Sequence, residues 1–449
     1  MTTAAAETVW YARERLSRIS NLALPMIAGA TATNVMGLID AAMVGQLGDA
    51  ALAGVGISAQ LFFLFFGVLL GLAAGVQAMV ARRVGEDRMT ETGRVLNAGL
   101  LIACAVGALV IGLGYWVLLP VLSLISSDPE LIAAGWAYLS WRLPSLVILG
   151  LNIAFRSYWV GVSLAKWSMV SILSLSAANI VFNYALIFGN FGMPQMGVAG
   201  AGLGSTLALA VGLLVNVVFA VRLALPNGFL RGLPAQPDVR TMLRVSYPES
   251  LRQILFSLGV MCSYVLLGWI STQALAAFYV ITAICLIAYM PHIGIGGAAT
   301  TLVGEAMGRD DPEDARRWGW HVANIGMAVL LLLALPLMLL PQSVLGFFFT
   351  DPATVALAAL PLVLGLGGHV FDGYNKMIGA ALIGAGDTTS PMVAGFLLQW
   401  LVFLPVLAWG VLSGWGLTTA MWWFFAYTAL SAVVLAAVWS RGRWRQIVV

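Results

Sequence analysis

The chain has 449 residues, of which 61% are hydrophobic and only 9% are Asp, Glu, Lys or Arg, and its mean hydropathy is +0.95. Soluble domains carry about a quarter charged residues, so a water-soluble globular fold is excluded, and a formal net charge of +3 is too small to indicate nucleic acid. Three scattered cysteines, Cys104, Cys262 and Cys285, lack C-x-x-C spacing; this argues against a disulfide framework or zinc site and leaves them as small buried hydrophobes.

Apolar runs of about 20 residues recur along the chain, each long enough to cross a hydrocarbon core as a helix, whereas barrel strands would be short and alternating. The segment "YARERLSRIS" precedes the first run, and no short apolar region ends in an A-x-A site, so that run is read as a retained helix. Hydropathy and breakers predict helices over 20–46, 52–80, 95–122, 131–160, 168–188 and 197–222. A second set follows over 245–270, 274–304, 319–348, 353–383, 391–412 and 416–439. The predicted class is therefore an all-α polytopic membrane protein with twelve transmembrane helices in two six-helix lobes.

Basic residues accumulate in alternate connections, which predicts orientation. Arg13, Arg15 and Arg18 precede the first span; Arg82, Arg83, Arg88 and Arg94 follow the second; Lys166 follows the fourth. Arg222, Arg231, Arg240 and Arg244 flank the middle connection, Arg309, Arg316 and Arg317 follow the eighth span, and Arg441, Arg443 and Arg445 follow the last. The intervening turns "GQLGDA", "SSDPE", "NFGMPQ", "STQ", "TDPA" and "LSGWG" hold no Lys or Arg. Both termini are predicted to be cytoplasmic.

An ungapped shift of 223 positions aligns Pro25 with Pro248, Gly45 with Gly268, Ala51-Leu52-Ala53 with Ala274-Leu275-Ala276, Asp87 with Asp310, Asp128-Pro129 with Asp351-Pro352 and Gly161 with Gly384. Two homologous halves follow: an N-terminal lobe over 1–222, a Pro- and Gly-rich cytoplasmic linker over 223–240, and a C-terminal lobe over 241–449. Six helices per copy give both copies the same orientation and a pseudo-two-fold relation along the membrane normal. That is transporter architecture, in which substrate sites lie near the midplane between repeats.

A charge near the bilayer centre costs roughly 2.5–3.5 kcal/mol on insertion scales, so each one needs a partner, a wet cavity or a function. Asp40, in "NVMGLIDAAMVGQLG", lies about two turns from the outer end of the first helix, with Asn34 and Gly37 near the same face. It fits either an interfacial carboxylate reaching headgroup water or a lumen-facing one that binds a proton, a sodium ion or a cationic substrate. Asn179 and Asn183, in "SAANIVFNYALIFGN", are spaced i,i+4 and fit either interhelical glue or oxygen ligands beside Asp40. His369, Asp372 and Lys376, in "HVFDGYNK", share one helical face near the midplane. Asp372 and Lys376 fit a self-neutralising i,i+4 pair, although a buried pair rarely outperforms apolar packing, which favours a function for Asp372. Glu249 follows Pro248 and reads as a helix N-terminal residue, with Arg252 one turn on. Glu305 reads as an interface residue. Arg142 is open to snorkelling outward, and Arg156 to snorkelling inward or pairing with a carboxylate; the sequence does not choose for either.

Taken together, Pro25 with "LIDAAMVGQLGDAALAGVG", "NIVFNYALIFG" with "GVAGAGLGST", and "ALIGAGDTTSPM" resemble the multidrug and toxic compound extrusion (MATE) family over essentially the whole chain. The resemblance implies export of cationic or amphipathic drugs and metabolites by antiport against H⁺ or Na⁺, with no cofactor, from the plasma (inner) membrane, a function tied to antibiotic resistance. It matches Asp40, Asn179 and Asp372 to the family's cation-coupling positions; together with the residue readings above, the candidates are Asp40, Asn179, Asn183 and Asp372 for cation coupling and Asn34, Asp40, His369, Asp372 and Lys376 for substrate. Asn183 stands where proton-coupled DinF-like members often carry Asp, and Phe256 or Ser257 stands near the NorM-like helix 7 glutamate, so the chain mixes features of both branches.

Other readings are weighed by their residues. Major facilitator proteins also have six plus six spans, but "RRVGEDR" does not reproduce their G-x-x-x-D-R-x-G-R-R type loop. A lipid or lipid-linked sugar flippase of the same superfamily would need Arg142, Arg156, Arg252 and Lys376 to converge in one cavity. A membrane enzyme is disfavoured, because three His residues, His292, His321 and His369, come with no metal-ligand cluster and no nucleophile motif.

Overall fold

The computed structural model describes residues 3–125, 127–232, 234–349 and 351–447, with side chains from Arg13 onward except Thr272. Residues 1, 2, 448 and 449 of the predicted cytoplasmic termini, Ser126 of "SSDPE", Leu233 of the linker and Thr350 of "TDPA" lie outside the described residues. Among the described residues there is no strand, as a chain that must satisfy its backbone inside lipid requires of an open fold.

Among the described residues, ten helices are long and apolar enough to span a membrane, and two bent pairs bring the total to as many as twelve spans. In order these are α1 Thr3–Gly45, α2 Asp49–Gly85, α3 Met89–Ile125, the pair α4 Pro129–Arg142 and α5 Ser145–Gly161, α6 Ala165–Phe188 and α7 Val198–Leu223. Then come α8 Gln236–Gly268, the pair α9 Thr272–Tyr289 and α10 Pro291–Gly308, α11 Pro312–Leu339, the short α12 Pro341–Leu345 and α13 Pro352–Gly384. The last spans are α14 Thr389–Phe396, which runs through a π-helical segment Leu397–Phe403 into α15 Leu404–Leu412, and α16 Leu417–Arg441.

The 223-residue repeat recurs in the boundaries of these elements. α2 and α9 begin at Asp49 and Thr272, α2 and α10 end at Gly85 and Gly308, and the next helices begin at Met89 and Pro312. Asp87 and Asp310, in equivalent turns, both take a left-handed backbone, with φ of 59° and 57°. Asp128 and Asp351 are equivalent N-caps ahead of Pro129 and Pro352. Asp128 accepts from the Glu130 amide at 2.9 Å, and Asp351 accepts from the Ala353 and Thr354 amides at 3.2 and 3.1 Å. The Thr354 hydroxyl and then the Ala353 amide hold the Asp351 carboxyl below its ordinary value.

Several predicted features are revised. The single span over 131–160 is broken by 50° between Arg142 and Ser145, at Pro144, and that over 274–304 by 44° between Tyr289 and Pro291. In each case proline withholds a backbone donor. The span placed at 319–348 stops at Leu339, because Pro341 starts a separate turn. Glu249 is not at a helix N-terminus: α8 begins at Gln236, with Asp238 in its first turn, and carries Pro248 inside it, so Glu249 lies buried in mid-helix. Cys104 is exposed, and only Cys285 of the three cysteines is fully buried.

The chain divides into two compact units, Ala28–Ser250 and Met1–Ile27 with Leu251–Val449. In the first, Leu69, Leu118, Leu122, Leu139, Leu143 and Leu146 form an apolar core among α2, α3, α4 and α5. Beside it, α5, α6 and α7 are tied by a buried polar ladder. The Asn216 amide donates to Asn152 Oδ1 at 3.0 Å and Ser171 Oγ at 2.7 Å and accepts from Trp159 Nε1 at 3.0 Å. Asn152 in turn donates to the Ile148 and Leu209 carbonyls at 2.9 and 3.0 Å, so the ladder ends on backbone.

In the second unit α13 is central, packing against α9, α10, α11 and α16. Its basic N-terminal stretch is not simply solvated. Arg15 is 4% exposed, ion-paired to Asp314, 2.9 Å from His321 Nδ1 and stacked over Trp318 at 4.2 Å. Glu305, expected at the interface, is 4% exposed and ion-paired to Arg18. A buried carboxylate near a basic helix end is neutralised there by the arginine it meets.

The ladder makes a specific prediction. Asn216→Leu strands the Trp159 and Asn152 groups in an apolar interior, and at about 0.6–1.7 kcal/mol per interhelical hydrogen bond it should destabilise the protein by roughly 1–3 kcal/mol. A lowered melting temperature of the variant in detergent checks this; an unchanged one would mean that the ladder carries no stability.

Candidate functional site

Each unit holds a polar cluster centred on a carboxylate inside its membrane-spanning helices. In the unit of residues 28–250 it centres on Asp40, half-buried five residues before the end of α1. Asn179 and Asn183 are one turn apart on α6 and present both amides to it. Asn183 Nδ2 donates to Asp40 Oδ1 at 2.7 Å. Asn179, with its amide turned so that both ends are satisfied, donates to Asp40 Oδ1 and Oδ2 at 2.7 and 3.2 Å and accepts from Ser205 Oγ at 3.1 Å. Among the described residues Asn183 Oδ1 has no hydrogen-bond partner.

The approach of α7 explains the motif "GVAGAGLGST". A Cβ on Gly204 would overlap the Asn183 side chain and come within 3.1 Å of its backbone nitrogen, so only glycine lets α7 lie against the amide. Val44, Ile187 and Ala201 close an apolar cluster around the end of α1 next to these polar groups.

Arg142 ends α4 at the bend. Its guanidinium lies 4.8 Å over the Phe62 ring and within electrostatic range of Asp40, and among the described residues its Nε and Nη1 have no hydrogen-bond partner. It is turned into the unit and does not snorkel outward. Asn34 stands apart in role: it is exposed and donates to the Ala30 carbonyl of its own helix at 3.0 Å. Six residues from Asp40, it is turned about 120° around the helix from the carboxylate.

In the other unit the cluster centres on Asp372 of α13. The Tyr289 hydroxyl donates to Asp372 Oδ2 at 2.6 Å. Tyr289 ends α9 at the bend, with the His292 ring stacked on it at 3.7 Å and His369 edge-on at 5.5 Å. His369 Nδ1 donates to the Gly365 carbonyl at 2.7 Å, so its Nε2 is the nitrogen left facing the cluster. Lys376 lies with its ammonium 3.8 Å from the centre of the Phe256 ring and within electrostatic range of Asp372. Phe256 is thus the aromatic platform of Lys376.

The π-helical segment of the eleventh span turns Gln399 inward, where its Nε2 donates to the Phe256 carbonyl at 3.3 Å. Two adjoining cavities share Phe256, Asp372, Gln399 and Tyr427 in their walls. One, of about 110 Å³, is aromatic, and the other, of about 40 Å³, is lined by Arg252, Asn375 and Lys376. His369, Asp372 and Lys376 are therefore brought together, as are Asp40, Asn179 and Asn183. Tyr289 is absent from the candidates read from sequence, and Arg142 and His292 are assigned there to neither cluster, yet "AYMPHIG" and "WRLPS" carry the prolines that mark both bends.

A polytopic all-α chain whose half-buried carboxylates face amides in one unit and a two-part cavity in the other has the architecture of a membrane transporter. Comparison with known proteins specifies the class. The MatE family model matches residues 25–185 and 248–409, which is the repeat seen in the sequence. The chain is 31% identical to a probable multidrug resistance protein NorM of Bradyrhizobium diazoefficiens, covering 86% of this chain and 84% of that one. It is 29% identical to a protein of the same description from Mesorhizobium japonicum, covering 90% and 88%. The crystal structure of the Vibrio cholerae MATE transporter VcmN in the bent form superposes with a TM-score of 0.87 at 17% identity, over 96% of this chain and 97% of that one. The chain belongs to the MatE family.

A hydrogen bond to a charged group is worth roughly 1.5–3 kcal/mol, so Tyr289→Phe and Asp372→Asn should be coupled by at least about 1 kcal/mol in a double-mutant cycle of thermal stability. Strictly additive effects would show that the Tyr289–Asp372 bond contributes nothing.

Proposed function

We propose that this protein is a secondary multidrug exporter of the plasma (inner) membrane, moving cationic or amphipathic compounds outward by antiport against H⁺ or Na⁺, with both termini cytoplasmic. The observation that carries the proposal is the amide clamp on Asp40. A carboxylate met by two neutral amide donors is satisfied without a cation. An Asn side chain presents its oxygen instead of its nitrogen after a half-turn about its terminal bond. Turned, Asn179 and Asn183 offer acceptors to a protonated Asp40 or oxygens to a sodium ion held by its carboxylate. Asp40 thereby serves as the exchangeable site, and Asp372 with His369 and Lys376 forms part of the substrate cavity.

The domain reading proposed from sequence, lobes over 1–222 and 241–449 joined by a cytoplasmic linker over 223–240, fits the equal helix count of each copy. The names of the NorM relatives support drugs as the exported class. Orientation rests on the Lys and Arg bias of alternate connections. The flippase reading asks for four convergent cations. Arg252 and Lys376 line one cavity of the second unit, while Arg142 and Arg156 belong to the residue 28–250 unit, which leaves that reading with half its requirement in either place.

Proteoliposomes loaded with a fluorescent cation and given either an inward proton or an inward sodium gradient test the proposal. Wild type should expel the dye under one of the two, and Asp40→Asn, which keeps the shape and removes the charge, should reduce gradient-driven export at least about 100-fold while leaving the melting profile within roughly 1 kcal/mol. Full driven export by this variant would refute the role of Asp40.

A further inference from the structure

Away from both polar clusters, the unit of residues 28–250 carries a groove along the first half of α8. We propose that this groove binds one anionic phospholipid from the leaflet on the side of the connection between α7 and α8, with its phosphate at Arg240 and Arg244 and an acyl chain laid along the helix.

The groove has two parts that meet at Leu243. The wider, of about 790 Å³, is lined by Leu101 of α3 and by Arg240 and its neighbours at the start of α8. The narrower, of about 370 Å³, runs on between Ile102 and Val106 of α3, Leu72 of α2 and Tyr247 of α8. Its shape follows from the packing. A side chain on Gly71 would overlap the Ser246 carbonyl and the Ser250 hydroxyl, so α8 lies directly on α2 there, and Ser250 Oγ donates to the Val68 carbonyl at 2.7 Å. α3 instead presents Leu101, Ile102 and Val106 to α8, and a gap remains between the two helices. At the mouth of the gap the connection is tied to α3: the Leu230 amide donates to Asn97 Oδ1 at 3.1 Å, and the Gly93 amide to the Asn227 carbonyl at 2.8 Å.

Length and charge identify the occupant. Arg240, Leu243, Tyr247 and Ser250 recur at helical spacing, so they form one stripe of α8 about 15 Å long, half of a hydrocarbon core of roughly 30 Å. A cation at one end of a single leaflet's length of apolar wall matches a phosphate and its chain. Arg240 and Arg244 are exposed and one turn apart, a like-charged pair that weakens a helix until an anion lies between them. The acidic residues of this stretch do not supply that anion, since Asp238 is turned to Arg83 at 3.9 Å and Glu249 is buried. Guanidinium groups match phosphate oxygens in pairs, and basic pockets beside membrane helices hold anionic headgroups. A choline headgroup would bring its own ammonium to the two arginines, which disfavours a zwitterionic lipid in the same place.

The test uses full-length protein in detergent with equal amounts of phosphatidylglycerol and phosphatidylcholine of identical chains, and bound lipid is read by native mass spectrometry. Each arginine near the surface favours an anionic lipid about fivefold, so wild type should hold one phosphatidylglycerol with a preference of roughly 25-fold. Arg240→Gln with Arg244→Gln should bring the preference to within about twofold of parity, and Arg240→Lys with Arg244→Lys, which keeps both charges, should preserve it. Leu243→Trp fills the place where the two parts meet and leaves the charges, so it should lose the bound lipid.

Equal retention of the two lipids by wild type overturns the proposal, and this comparison needs no variant to fold. Undiminished phosphatidylglycerol on a monodisperse double Gln variant overturns it as well. So does uptake of many lipids without a saturating first one, which is the behaviour of an unselective lipid layer.

Discussion

A carboxylate on a membrane-spanning helix has to be met by hydrogen-bond donors, and the donors have to come from neighbouring helices because its own backbone is fully used. That requirement organises the unit around Asp40. Two amides one turn apart on α6 meet the two carboxylate oxygens, and Ser205 on α7 completes the second amide. For α7 to approach this closely the residue facing Asn183 must lack a side chain, which is the place of Gly204. One buried charge on α1 thus dictates residue types on two other helices. The Asn152–Asn216 ladder shows how differently a structural polar network is built, since it closes on backbone carbonyls that cannot change role.

The halves share a frame and differ in where it bends. Helix ends, N-caps and left-handed turns recur 223 residues apart, as duplicated local rules require. The first copy, however, bends its fourth span at Pro144, and the second bends its second span at Pro291. Each bend delivers a group to a carboxylate. Arg142 at the first is brought within electrostatic range of Asp40, and Tyr289 at the second donates to Asp372. A broken helix leaves a side chain at its terminus free of the regular 100° rotation, so it is directed where a straight helix could not direct it.

Much of this was readable from the residues, and the limits are physical. Span number, the repeat, and the grouping of Asn179 with Asn183 and of His369 with Asp372 and Lys376 follow from hydropathy and from the period of a helix, both local properties. Asn34 was misjudged because six residues on a helix is not a facing interval. Glu249 was misread because Pro248 looks like a helix start, while the polar stretch before it, "DVRTMLRVSY", is itself helical. The partners of Asp40 and Asp372 from distant helices, Arg142 and Tyr289, depend on which helices pack together, and one chain carries no periodic signal for that. Glu305 and Arg15 show the same limit: both look solvated by their neighbours in sequence, and both are buried by neighbours in space.

The two carboxylates also differ in the mobility of what holds them. Around Asp40 the hydrogen-bond donors are neutral amides, whose donor and acceptor ends exchange by rotation about one bond. Around Asp372 they are a phenol, which offers one hydroxyl at a fixed reach, and the field of an ammonium anchored over an aromatic ring. A site that must take up and release a cation in each cycle has to be satisfied both with and without it, which rotating amides allow. A site whose partners keep one sign in every orientation selects ligands by charge. The chemistry of the surroundings, more than the shared presence of an aspartate, therefore supports the proposed ion exchange in one unit and the proposed recognition of cargo in the other.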